Sequence, residues 1–190
     1  MNRLLGSMRA HPVLSAVLVT GALLTALEIP YLVLARSDSG RLRTLSAVSA
    51  PHWENRPAPT FALPAIDGSG TVGLRPASRV TVVNFWASWC TACRAEAPDL
   101  EAVSREQGPA VRFLGVDEGD RLADARSFIR TSGITYPSGF DPKERAASRY
   151  GIFGLPYTFV IDRSGRIRAE FAGRIAASSL TRVLGIVRGP

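Results

Sequence analysis

The stretch Val80–Trp86 reads Val-Thr-Val-Val-Asn-Phe-Trp, a nearly unbroken run of β-branched and aromatic residues. A strand with one wet face alternates apolar and polar side chains. A run that is apolar on both parities belongs instead to a strand buried on both sides, at the centre of a sheet covered by helices. Within a few residues the chain reaches Cys90-Thr91-Ala92-Cys93, and helical patterning starts at about Thr91 and runs to Glu106. Ala95, Leu100 and Val103 are assigned to its apolar side. A buried strand that feeds a helix through two cysteines fixes much of what the rest of the chain can be.

These are the only cysteines in 190 residues. A disulfide-stapled scaffold is excluded, because a bridge across two residues closes too small a loop to constrain much of the chain. The position favours chemistry. A thiol at a helix N-terminus meets unpaired N–H groups and the positive end of the helix dipole, both of which stabilise thiolate. Thiolate is the form that attacks a disulfide, so Cys90 is the expected nucleophile, with Cys93, one turn in, the resolving thiol. Trp86 and Trp89 are expected to shield the pair and to offer partners an apolar face. Zinc would need two further ligands. The two histidines, His11 and His52, are read as lying outside the folded domain, and covalent haem would need a histidine where Arg94 stands. The expected redox centre therefore needs no metal and no cofactor.

Other segments supply the remaining elements. Thr60–Leu63 and Thr71–Leu74 are short strand candidates about the turn Asp67-Gly68-Ser69-Gly70. Val111–Val116 is a second buried strand, and Arg121–Arg130 a helix with Leu122, Ala125 and Phe128 inward. Residues 134–141 read as an irregular connection, and 142–150 as a short helix. Tyr157–Ile161 and Arg166–Phe171 pair through the turn Asp162-Arg163-Ser164-Gly165, and Ser178–Val187 is a terminal helix. The order implies an α/β domain, a mixed β-sheet flanked by helices.

Ahead of it, Pro12–Ala35 spans 24 positions with one charge, Glu28. That suits a transmembrane helix, which needs about 20 apolar residues. The alternative is a cleaved signal sequence with Val13–Leu27 as its apolar region and a site after Ala35. Glu28, beside Pro30 and Tyr31, fits the outer headgroup level better than the bilayer centre. Arginines on both sides of the segment leave its orientation open. The expected organisation is residues 1–35 as a membrane anchor or signal sequence, 36–56 as a flexible tether, and 57–190 as the folded domain. The net charge of +7 is spread without a run of like charges, so no nucleic-acid stripe is indicated.

Asn84–Pro98 (NFWASWCTACRAEAP) and Tyr150–Ile167 (YGIFGLPYTFVIDRSGRI) together resemble the thioredoxin superfamily. With Ala58–Leu74 they resemble its membrane-tethered TlpA, ResA and CcmG branch. The resemblance implies a thioredoxin-like fold on an N-terminal transmembrane helix. It also implies an extracytoplasmic setting, where oxidised cysteines are common. Pro156 matches the family's cis-proline loop, in which backbone groups about Leu155 and Pro156 pair with a bound peptide beside Trp89. The other reading is a trans proline ahead of a strand. Glu96 matches an acidic residue three positions after the second cysteine, able to exchange a proton with Cys93, though an ordinary solvent-facing glutamate has the same spacing. Asn84 replaces the buried aspartate of cytosolic thioredoxins, which directs attention to Glu96.

The implied activity is thiol–disulfide exchange on disulfides or thiols of exported proteins, with the haem-binding cysteines of apocytochrome c a candidate client. A membrane thiol electron carrier would be the source of reducing power. Thr91-Ala92 matches neither of the common intervening dipeptides and leaves the direction open, so a disulfide-forming oxidase is the rival enzyme. A tethered binding module without redox turnover is the non-enzymatic alternative. A peroxidase is disfavoured by Ala87, which stands where a threonine would be expected.

Overall fold

The computed structural model describes residues 49–75 and 79–189. The expected anchor (1–35) and most of the expected tether lie outside the described residues. Among those described, no helix is long and apolar enough to cross a membrane.

The doubly apolar run is β4 (Val80–Trp86), with every residue buried. It pairs in parallel with β5 (Val111–Glu118) and antiparallel with β7 (Tyr157–Ile161). On one side the sheet continues in parallel to β6 (Ser138–Asp141). On the other it continues antiparallel to β8 (Arg166–Ala172) and then β1 (His52–Pro57). The strand order is β1-β8-β7-β4-β5-β6, a mixed sheet of thioredoxin-like type. A separate hairpin, β2 (Phe61–Pro64) with β3 (Thr71–Leu74), lies across β6 and is tied to it by the Ala65–Gly139 bridge.

Pleating divides β4 between two cores. Val82 and Trp86 face α1 (Thr91–Gln107), α2 (Leu122–Ser132) and α4 (Ala177–Arg188), where the Trp86 indole stacks on Phe128 with ring centres 4.6 Å apart. Val83 and Phe85 face α3 (Arg145–Tyr150) and the hairpin, in an aromatic cluster of Phe85, Tyr150 and Phe159. The two anticipated turns form as read. Asp67 accepts the Ser69 amide, and Asp162 accepts the amides of Ser164 and Arg166.

Three sequence expectations are corrected. The tether was expected to reach Arg56, yet His52–Pro57 is an edge strand. Its polar, mostly exposed residues carry no apolar alternation, because only one side of it has a sheet neighbour. His52 is thus inside the folded domain. Residues 138–141, read as irregular, form β6 from Ser-Gly-Phe-Asp, a composition poor in strand formers that holds its place by pairing with β5. Along α1, Ala95 faces solvent and Glu96 faces the core.

Gly115 is where β5 passes closest to its neighbours: a Cβ there would lie 2.8 Å from the Trp86 indole nitrogen and would collide with the Ser138 hydroxyl. Gly115→Ala is expected to lower stability by about 1–3 kcal/mol in urea unfolding, as overpacking does. An unchanged midpoint would show that the strands give way freely.

Candidate active site around Cys90 and Cys93

Cys90 is the N-cap residue of α1, with extended backbone angles, and its Sγ accepts the Cys93 amide at 3.0 Å. The two sulfurs are joined as a disulfide. Cys90 and Cys93 are 6% and 2% exposed, whereas Trp89 is 68% exposed, so the ring in front of the pair faces outward. Trp86 is a core residue, not a lid. When the pair is reduced, the amide that now contacts Cys90 Sγ and the unpaired end of α1 both favour a thiolate there, while Cys93 sits deeper.

Glu96 follows Cys93 by three residues on the same buried face of α1 and is 1% exposed. Its Oε1 accepts from the Asn84 side-chain amide at 2.8 Å, and its Oε2 accepts the Ile175 backbone amide at 3.1 Å. The Asn84 amide also donates to Thr158 Oγ1 at 3.0 Å. Burial pushes the Glu96 carboxyl up to about 7, against the pull of these donors and of Arg174. The solvent-facing reading of Glu96 is therefore overturned. What sits beneath Cys93 is a carboxyl that can hold or release a proton at neutral pH.

The Leu155–Pro156 peptide is cis. Tyr157 registers with Phe85, so Leu155 and Pro156 lie just beyond the end of β4, where the cysteine loop also departs. Pro156 is buried and its carbonyl accepts the Gly173 amide at 2.9 Å. Leu155 is half-buried and touches both cores. Phe153, two residues earlier, is fully exposed. The structure thus brings Trp89, Cys90, Cys93, Glu96, Leu155 and Pro156 to one end of the sheet.

Sequence reading missed the groups that hold the loop before Cys90. The Asp120 carboxylate accepts both the Ser88 amide at 2.6 Å and the Ser88 hydroxyl at 2.9 Å. From α1, Arg94 reaches the Ser88 carbonyl at 2.9 Å with its guanidinium over the Phe128 ring. The available signal was faint: acidic residues, Asp117, Glu118 and Asp120, follow the apolar run Phe113–Val116. Among the described residues, His52, Glu54 and Glu170 form the one group spaced to share a metal ion, on the β1–β8 edge and without a cysteine. Arg56 and the Tyr157 hydroxyl already engage Glu170 there.

The AhpC/TSA family profile matches residues 55–170. The thiol:disulfide interchange protein DsbE of Allochromatium vinosum is 36% identical over 126 residues, 65% of this chain and 68% of that protein. The thiol:disulfide interchange protein HelX of Rhodobacter capsulatus is 34% identical over 55% of this chain and 58% of its own length. The chain thus spans about two thirds of the first relative and less of the second. Among solved structures, a putative thiol:disulfide interchange protein DsbE from Chlorobium tepidum superposes with a TM-score of 0.63 at 28% identity, covering 70% of this chain and 98% of that one.

The raised Glu96 pKa makes a linkage prediction. The folded state binds this proton more tightly than the unfolded chain, so the stabilisation is complete below about 4.5 and is lost as pH rises through about 7. Between pH 4 and pH 8.5 the wild type is expected to lose about 3 kcal/mol relative to Glu96→Gln in paired denaturation curves. Curves that stay parallel would mean that Glu96 has the same pKa in the folded and unfolded chain.

Proposed function

This chain belongs to the AhpC/TSA family, and we propose that it is a thiol–disulfide oxidoreductase that reduces disulfides of exported proteins while held at the membrane by Pro12–Ala35. The observation that carries the reading is the placement of Cys90 Sγ at the start of α1, on the Cys93 amide. Cys93 lies behind it and a buried carboxyl follows one turn on. The names of the DsbE and HelX relatives support the same chemistry.

In the reaction, Cys90 thiolate attacks one sulfur of a client disulfide, forms a mixed disulfide and expels the other sulfur as a thiolate. Cys93 then gives up its proton, for which Glu96 is the nearby buried acceptor, and attacks Cys90 Sγ. The Cys90–Cys93 disulfide forms, the second client thiolate leaves, and two electrons have passed to the client. A membrane thiol carrier would restore the dithiol. Clients would lie across the exposed Trp89 and the backbone at Leu155–Pro156, with apocytochrome c cysteines one candidate. The same parts run in reverse in an oxidase, so direction rests on the potential.

The test uses the full chain in mild detergent, because a cut at Arg56 would remove most of β1. Equilibration in thiol/disulfide buffers is expected to give a potential at or below about −220 mV, towards thioredoxin's ~−270 mV. A value near ~−120 mV would make the protein an oxidant. Cys90→Ser is expected to abolish client reduction, and Cys93→Ser to accumulate the mixed disulfide. Retained activity in Cys90→Ser would leave a binding module. Protease added to spheroplasts is expected to digest the domain, and protection would place it in the cytoplasm.

A further inference from the structure

Asp117 ends the apolar run of β5, in register with Trp86 on β4 and Phe140 on β6. It is 0% exposed, and neither of its carboxyl oxygens has a hydrogen-bond donor among the described residues. An ionised carboxylate so placed would be among the most costly groups a fold can contain. Its surroundings add to the cost: Asp120, just beyond the strand, is the acid closest in effect, and the charges of Asp141 and Glu118, a register pair on the opposite face of the sheet, also bear on it. Burial first, and then these acids, push the Asp117 carboxyl up to about 9.

Two of the three neighbours are committed as acceptors. Asp141 takes the amides of Arg145 at 3.0 Å and Ala146 at 2.7 Å, capping α3. Asp120 spends one oxygen on the Ser88 amide and the other on the Ser88 hydroxyl. The cations nearby serve elsewhere: Arg94 is on the Ser88 carbonyl, and Lys143 lies with Glu118 and Glu144 along a neighbouring surface cleft. A neutral carboxylic acid resolves the arrangement, since its O–H is a donor among acceptors. Asp120 is the carboxylate positioned to receive it.

We propose that Asp117 is a positioning residue that keeps its proton and hydrogen-bonds through it to the Asp120 carboxylate, which holds the Ser88 amide and hydroxyl and so fixes the loop presenting Cys90. The claim of a positioning role rests on the thiol–disulfide reading; the protonation of Asp117 does not. Ionising Asp117 sets two carboxylates against each other, drives Asp120 off its place and frees Ser88, two residues before the nucleophile. Asparagine at 117 would keep an N–H donor towards Asp120 and have nothing to ionise.

The experiment uses the reduced full-length chain in mild detergent, labelled with carboxyl-carbon-13 aspartate. One aspartate signal is expected to titrate near pH 9 in the wild type and to vanish in Asp117→Asn. The iodoacetamide rate at Cys90, followed across the same pH range, is expected to show the thiol's own step. A second change of about threefold or more near pH 9, the scale of one lost hydrogen bond, is expected in the wild type and not in Asp117→Asn. A wild-type spectrum with no aspartate titrating above pH 7 would overturn the protonated acid without need of any variant. A titrating Asp117 with superimposable alkylation profiles would overturn the positioning role. Both signals present in a chain that fails to reduce a client disulfide would sink the enzymatic reading alone.

Discussion

The side-chain amide of Asn84 gives one proton to Glu96 and the other to Thr158, and Glu96 passes the link to the backbone at Ile175. This buried polar knot joins β4, α1, β7 and the segment leading into α4. Each of its members is nearly dry, so a missing partner would leave an unsatisfied group in the core. Satisfied, it fixes the angle at which α1 leaves the end of β4, and hence the direction in which its first turn presents sulfur. The apolar packing on either side would tolerate some sliding of a helix over a sheet, whereas three directional hydrogen bonds tolerate much less.

Beside this knot, on the adjacent strand, a second buried acid faces the same side of the sheet. The two are handled differently. Glu96 is surrounded by donors, so its charge is opposed mainly by burial and its proton can come and go near neutrality. Asp117 has no donor on either oxygen and an acid, Asp120, beside it, so burial and that neighbour push its carboxyl up to about 9. Donors around one carboxyl and none on the other thus suit the first to exchanging a proton and the second to keeping one.

Where burial on both faces dictates composition, the sequence announces the structure. Val80–Trp86 and Tyr157–Ile161 have the bounds that their apolar runs indicate, and α1 begins at Thr91 as read. Where an element is held by one neighbour, composition says little: β1 looks like tether and β6 like loop. The site divides in the same way. The cysteines, Trp89 and Pro156 were legible because their spacing is itself the signal. The burial of Glu96 was hidden because a charged residue takes an inward position that periodicity assigns to alanine, and Asp120 because its partner, Ser88, is 32 residues away in sequence. The spanning segment remains a reading of hydropathy, since it lies outside the described residues.

The two lateral borders of the main sheet bear on how extended polypeptides can be engaged. At β6 the border is occupied by the β2–β3 hairpin through the Ala65–Gly139 bridge. At β1 it is irregular between Trp53 and Arg56, lined with His52, Glu54 and Arg56, and closed by Pro57. Bulges, charges and proline are the features that keep a sheet border from templating another chain. An unfolded polypeptide, rich in unpaired backbone, is thereby denied adventitious annealing along the flanks. It is left with the short stretch of main chain before Pro156, at the same end of the sheet as the cysteines, so contact and chemistry are kept to one end of the fold. If its clients are unfolded chains, as proposed, the domain could handle them without being drawn into their aggregates.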